Sequence, residues 1–194
     1  MSKIVFLGDS ITEGFGVSSD ECWVSGMPGE AVNRGISGDT TEGMVRRFPT
    51  HVVAEHPDRV VIMGGLNDIG LGKDWGRAAA NLQLLCEWAQ KEHIEPVLAT
   101  NIQPDYDEFL ASDWVQVLPA IRDIPRQLAA LNEWIREYTA KQGILCLDFA
   151  DAFPKRVIEE YCRYFIEGEH PNRFGHAVMR EIALETLYPK ENKL

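Results

Sequence analysis

The chain has 194 residues, 45% hydrophobic and 25% charged, which suits one well-buried domain rather than a disordered, collagen-like or two-domain protein. Nineteen Lys and Arg against thirty Asp and Glu give a net charge of −11 with no basic cluster, which speaks against nucleic acid and acidic membrane as partners. Cys22, Cys86, Cys146 and Cys162 are too widely spaced for a zinc or redox pair or a disulfide framework, and read as buried thiols of a reducing compartment.

In chain order, the first predicted element is an apolar strand over residues 4–7, halted by Gly8 and Asp9. It is too short for the apolar core of a secretory signal, roughly 7–15 residues, and nothing approaches a membrane span. A cytoplasmic address without stable membrane association is expected. Residues 23–32 hold three glycines and prolines where a full crossover helix belongs, so the first crossover is shortened. Residues 31–36 form a weaker strand candidate, interrupted by Asn33 and Arg34. Arg46 and Arg47 read as a solvated helix face, and His51, His56 and His93 fall in helical stretches without a pattern.

Further strands are expected at 60–63, 97–99 and 144–147, continuous apolar runs of the kind buried on both faces. Leu82, Leu85, Cys86 and Ala89 share one helical face; Ile124, Leu128, Leu131, Ile135 and Tyr138 share another; Phe174, Val178 and Ile182 begin a C-terminal helix. Residues 104–125 form a long connection of the kind that serves as a lid or binding loop. Its apolar residues, Phe109, Leu110, Trp114, Val117, Leu118 and Ile121, are more often packed loop core or a subunit contact than an acyl pocket. Strand and helix alternate five times, which predicts a single three-layer α/β/α domain over 1–194 with about five parallel strands joined by right-handed crossovers.

Ligands of open parallel sheets bind at the carboxyl ends of the strands. Gly8, Asp9 and Ser10 follow the first strand, Ser37, Gly38, Asp39 and Thr40 the second, and Gly64, Gly65, Leu66, Asn67 and Asp68 the third. Ser10 would open a helix, whose free N–H groups stabilise developing negative charge. Read alone, it is more often a helix cap. Gly38 can bring an N–H close to a ligand, Asn67 adds an amide donor, and Asp9 and Asp68 would accept turn hydrogen bonds beside them. Of five histidines only His170 lies in a polar loop ahead of a helix. Glu167, three residues earlier, can turn back onto Nδ1 and leave Nε2 to take a proton from a serine. Glu169 would point to solvent, and His176 reads as a solvated helix position. No histidine pair has the one-turn spacing of a zinc hydrolase.

The blocks Gly8-Asp9-Ser10, Ser37-Gly38-Asp39-Thr40, Gly65-Leu66-Asn67-Asp68 and Glu167-x-x-His170-Pro171-Asn172 together resemble the GDSL (SGNH) esterase and lipase superfamily, particularly its thioesterase- and lysophospholipase-like members. The resemblance runs from Lys3 to about Leu187. It implies a flavodoxin-like sheet and a serine acyl-hydrolase without metal or organic cofactor, acting on a small-molecule ester. Ser10 would be the nucleophile, the Ser10 and Gly38 N–H groups and the Asn67 amide the oxyanion hole, and His170 the base. The family normally has Asp where this chain has Glu167, one methylene longer by about 1.5 Å. A Ser10–His170 dyad therefore stays open as the alternative. Two other classes compete. A non-catalytic binding module would not need both Ser10 and His170, and a flavin or nucleotide binder would need a phosphate-cradling loop that Asp9 disfavours.

Overall fold

The structure, a computed structural model, describes residues 2–111, 113 and 119–189. Strand β1 (Lys3–Gly8) is an interior strand: Ile4, Val5, Phe6 and Leu7 are all at most 1% exposed. Each such side chain contributes about 1.5–3 kcal/mol by leaving water. Strands β2 (Glu30–Gly35), β3 (Arg59–Ile62), β4 (Glu95–Ala99) and β5 (Leu145–Leu147) join it in a parallel sheet of order β2-β1-β3-β4-β5. Register pairs Val5 with Val32 on one side and with Val60 on the other. The polar interruptions Asn33 and Arg34 have a physical reason: β2 is an edge strand, incompletely covered on both faces, where Asn33 Nδ2 donates to Thr12 O at 2.7 Å and Arg34 pairs with Glu55.

Alternation along β1 separates two cores. Val5 and Leu7 point into a layer made by α2 (Thr41–His51), α3 (Leu66–Gly70), α4 (Trp75–Lys91) and α6 (Ile124–Gln142), through Met44, Phe48, Leu82 and Leu131. Ile4 and Phe6 point the other way, onto Trp23, Phe149, Met179 and Ile182. That second layer contains α1 (Ser10–Glu13), α7 (Phe149–Ala152) and α8 (Arg173–Leu187). Helix α4 starts where the Asp74 carboxylate accepts from Gly76 N at 2.8 Å, and α8 where the Asn172 side chain accepts from Phe174 N at 2.9 Å. The first crossover is indeed short: its one helix, α1, has four residues.

Several expectations need correction. Phe174 is 55% exposed and lies under the Arg173 guanidinium, 4.7 Å from ring centroid, because the first turn of α8 overhangs solvent; the buried face begins at Gly175 and His176. His176 is wholly buried, its Nδ1 accepting from Trp23 N at 3.2 Å. His56 and His93 sit past helix ends with left-handed φ of 49° and 60°. A two-stranded antiparallel ribbon, β6 (Phe165–Ile166) with β7 (His170–Pro171), stands outside the main sheet and was not foreseen. Within the 104–125 connection, α5 (Tyr106–Ala111) and a 3-10 turn at Pro119–Asp123 are formed. Phe109 and Ile121 are buried, Leu110 is exposed, and Trp114, Val117 and Leu118 lie outside the described residues.

Candidate active site

The order of the strands places the crevice between β1 and β3, where successive strand connections turn from one side of β1 to the other. Ser10 leaves the end of β1 and Asn67 the end of β3. Asp9 is the helix cap, its Oδ1 accepting from Ile11 N at 3.1 Å, so the Ser10 hydroxyl is released from capping. The Ser10 Oγ lies 3.0 Å from His170 Nε2, across 160 residues of sequence. His170 reaches it from the β6–β7 ribbon. The bond from Asn172 N to Tyr164 O at 2.9 Å extends the ribbon's own ladder, and that from Asp105 N to Gly168 O at 2.7 Å docks its turn. Gly168 is obligatory: its φ is 75°, and a Cβ there would stand 2.5 Å from Phe109 N.

Gly38 has φ of 76° and open space where a side chain would project, so its backbone faces the cleft bare. Its neighbours are both tied down. Ser37 donates its N–H to Glu13 Oε2 at 2.8 Å and its hydroxyl to the same oxygen. The Asp39 carboxylate takes the Arg47 Nε at 2.6 Å. Asn67 Nδ2 donates to Asp39 O at 3.0 Å, which fixes the amide and leaves its second N–H for the cleft. Asp68 is fully buried and accepts from Thr41 N and Thr41 Oγ1 at 2.8 and 3.1 Å, locking α2 to α3. The cleft, of about 390 Å³, is lined by Ser10, Ser37, Gly38, Asn67 and His170, by the carboxylates of Glu167 and Glu169, and by Phe15, Leu66, Leu71, Phe109, Ile121 and Ile124.

Burial holds the His170 pKa below its ordinary value, and the negative charge of Glu167 opposes that shift. The imidazole is therefore neutral near pH 7, the form that can accept a proton. Burial, and then the charge of Glu167, raise the Glu169 carboxyl. Asp9, buried and near Glu169 and Asp39, is raised to about 7, chiefly by desolvation. The Phe15 ring, half exposed, packs on His170 with centroids 4.6 Å apart.

Glu167 does not meet the sequence expectation in its geometry. Among the described residues no hydrogen bond joins it to His170. The reason is the turn: Glu167 and Gly168 both have positive φ, 54° and 75°, and Glu169 N bonds Ile166 O at 3.3 Å, so a tight ribbon turn directs Glu167 outward to an exposed position at the cleft rim. Glu169, expected in solvent, lines the cleft instead. Arg47 overturns its reading as a solvated residue: its side chain is 11% exposed, whereas Arg46 is 76% exposed. The available signal was phase, since Arg47 follows the buried Met44 by three residues on the same helix. Phe15 and Glu13 carried no sequence signal.

A model of the GDSL-like lipase/acylhydrolase family matches residues 6–178. "Esterase TesA" of Pseudomonas aeruginosa is 38% identical over 117 residues, covering 53% of this chain and 56% of that protein. An "arylesterase" of Vibrio mimicus is 33% identical over 75 residues, 34% of this chain and 38% of that one. The chain thus spans little more than half the length of one curated relative and less of the other. A crystal structure of a GDSL-like lipase from Bacteroides thetaiotaomicron superposes with a TM-score of 0.77 at 25% identity, over 95% of this chain and 86% of that one.

Proposed function

The chain belongs to the GDSL-like lipase/acylhydrolase family, and on that premise we propose that it hydrolyses carboxylic esters of small molecules through an acyl-serine. The observation that carries the reading is the 3.0 Å approach of Ser10 Oγ to His170 Nε2 in a cleft that also holds Gly38 and Asn67. His170 takes the Ser10 proton as Oγ attacks the carbonyl carbon, and the Ser10 and Gly38 N–H groups and the Asn67 amide receive the oxyanion. The tetrahedral adduct collapses, and the alcohol leaves with the proton from His170. Water, deprotonated by His170, then attacks the acyl-serine, and the acid is released as His170 returns the proton to Ser10 Oγ. Asp9 and Asp68 support the site by capping α1 and by anchoring α2.

Glu167 is the carboxylate assigned to His170, acting through charge at the rim; its effect on the His170 pKa supports this. Short acyl groups on a small alcohol are the proposed substrate class, in keeping with a cleft near the lower end of the range for small-ligand pockets. A cytoplasmic setting is proposed, supported by four free cysteines, of which Cys22 and Cys86 are buried. Among the described residues no helix is long and apolar enough to cross a membrane.

The test is labelling and turnover. Wild-type protein should react with a fluorophosphonate at Ser10 and hydrolyse acetyl and butyryl esters, and a folded Ser10→Ala protein should do neither. Substantial ester turnover by folded Ser10→Ala would overturn the serine mechanism.

A further inference from the structure

Three groups on different segments of the chain have to stand in one arc for the oxyanion to be held: the Ser10 N–H after β1, the Gly38 N–H after β2, and the Asn67 amide after β3. One side chain ties these carriers together. The Arg47 guanidinium, on α2, sends Nη2 to Gly8 O at 2.8 Å, Nη1 to Arg34 O at 2.7 Å and Nε to Asp39 Oδ2 at 2.6 Å. Gly8 O is two residues before Ser10, Arg34 O is near the end of β2, and Asp39 is the residue after Gly38. The chain of contacts continues, because Asp39 O accepts from Asn67 Nδ2 at 3.0 Å. Arg47 and Asp39 are 11% and 12% exposed at their side chains, so the pair is shielded from the screening that weakens a surface bridge.

We propose that Arg47 is a positioning residue for the oxyanion hole, holding the segments that carry Ser10, Gly38 and Asn67 in register. This rests on the ester-hydrolase reading. The role requires a planar fork: three acceptors in three directions are met by donors fixed in one plane. A lysine ammonium has the same charge but is a single point, and cannot reach the two strand-end carbonyls and the Asp39 carboxylate together. Nothing in the contact set of Arg47 touches the open cleft, so its loss acts through donor placement and not through substrate contact. Gly38 is the donor most exposed to that loss. Glu13 would still hold Ser37 on one side, but the Arg47 link that holds Asp39 on the other would be gone. The Asp39 carboxylate would also be left nearly buried without its cation.

The experiment compares Arg47→Lys and Asp39→Asn with wild type and with Arg46→Lys, whose exposed side chain serves as control. Activity in wild type that vanishes in Ser10→Ala establishes the ester-hydrolase reading first and separately; its absence would sink that reading and this inference with it. On an active background, Arg47→Lys and Asp39→Asn are each expected to lower kcat 10- to 100-fold with KM within twofold, while Arg46→Lys keeps wild-type kcat. An alkylboronic acid, which forms a tetrahedral adduct on serine, should bind the two variants more weakly by the same factor as kcat falls. Wild-type kcat in a folded Arg47→Lys protein overturns the inference. So does a loss of kcat with boronate affinity unchanged, which would mean that the donors had stayed in place. If one variant fails to fold, the other decides by the same readouts, and Arg47→Ala with kcat restored by added guanidinium ion supplies a third.

Discussion

Replacement of Asn67 by Ala isolates one donor of the oxyanion hole. In the structure the amide is held before any substrate arrives, with one N–H on Asp39 O at 3.0 Å and the other left for the cleft. A donor fixed in this way costs no reorganisation as charge develops on the carbonyl oxygen, and removal of such a donor raises the barrier by about 2.7–4 kcal/mol. At about 1.36 kcal/mol per decade, Asn67→Ala should lower kcat by roughly 10²–10³. KM should change little, because the ground-state carbonyl carries little of that charge. The same substitution strips Asp39 O of a hydrogen bond, a loss of about 1 kcal/mol, or roughly 2–4 °C in Tm for a chain of this size. Steady-state kinetics on an activated acetyl ester, with a thermal melt on the same preparation, separates the two effects. A rise in KM with kcat preserved would refute the reasoning and make Asn67 a residue of ground-state binding.

Other outcomes follow from the same site. Glu167→Gln should reduce kcat/KM more than Glu169→Gln, and should move the acid limb of the pH profile to lower pH, because the lost charge was raising the His170 pKa; little effect from either would favour a Ser10–His170 dyad, and a crippled Glu169→Gln would make Glu169 the acid. His176 has its folded pKa lowered from 6.5 to about 4, chiefly by burial, so it contributes stability above pH 6.5 that is lost as pH falls towards 4, roughly 3 kcal/mol in all. Asp9, raised to about 7, acts in the opposite sense, contributing stability below pH 3.8 that is lost as pH rises through 7. His176→Gln, which keeps an acceptor for Trp23 N, should therefore gain less stability than wild type between pH 4 and 6.5 in urea melts; parallel curves would refute this. In a turnover panel, acetyl and butyryl esters should outpace long-chain esters, and the reverse order would make Phe109 and Ile121 the wall of a long acyl groove.

Sequence patterns located the apolar strands because each is a run of large side chains between Gly, Asp or Pro, and the polar turns after three of them converge as a parallel sheet requires. The sequence pattern also singled out His170 correctly as the histidine that faces Ser10. What stayed hidden depended on tertiary direction. Buried His176 and exposed Phe174 are two residues apart on α8, and only the way the helix lies on Trp23 decides which one is covered. Arg47 looks like Arg46 in a sequence, yet one turns towards two strand-end carbonyls and the Asp39 carboxylate and the other to water. The aim of Glu167 hung on two consecutive positive φ angles, a property of the ribbon turn that a three-residue spacing does not convey.

The ribbon bearing His170 has a consequence for how activity is lost. Each of its strands has two residues, and its turn is tied to the body by the main-chain bond from Asp105 N to Gly168 O, while Ser10 follows a strand buried on both faces. Short, partly solvated pieces open at a lower free energy than the sheet they rest on. Opening of residues 165–171 alone separates the proton acceptor from the hydroxyl and leaves the sheet intact. Heat or mild denaturant should then silence the protein while its secondary structure signal persists, and amide exchange should be faster in the ribbon than in β1. Recovery on cooling should be rapid, since only a small hairpin has to close again.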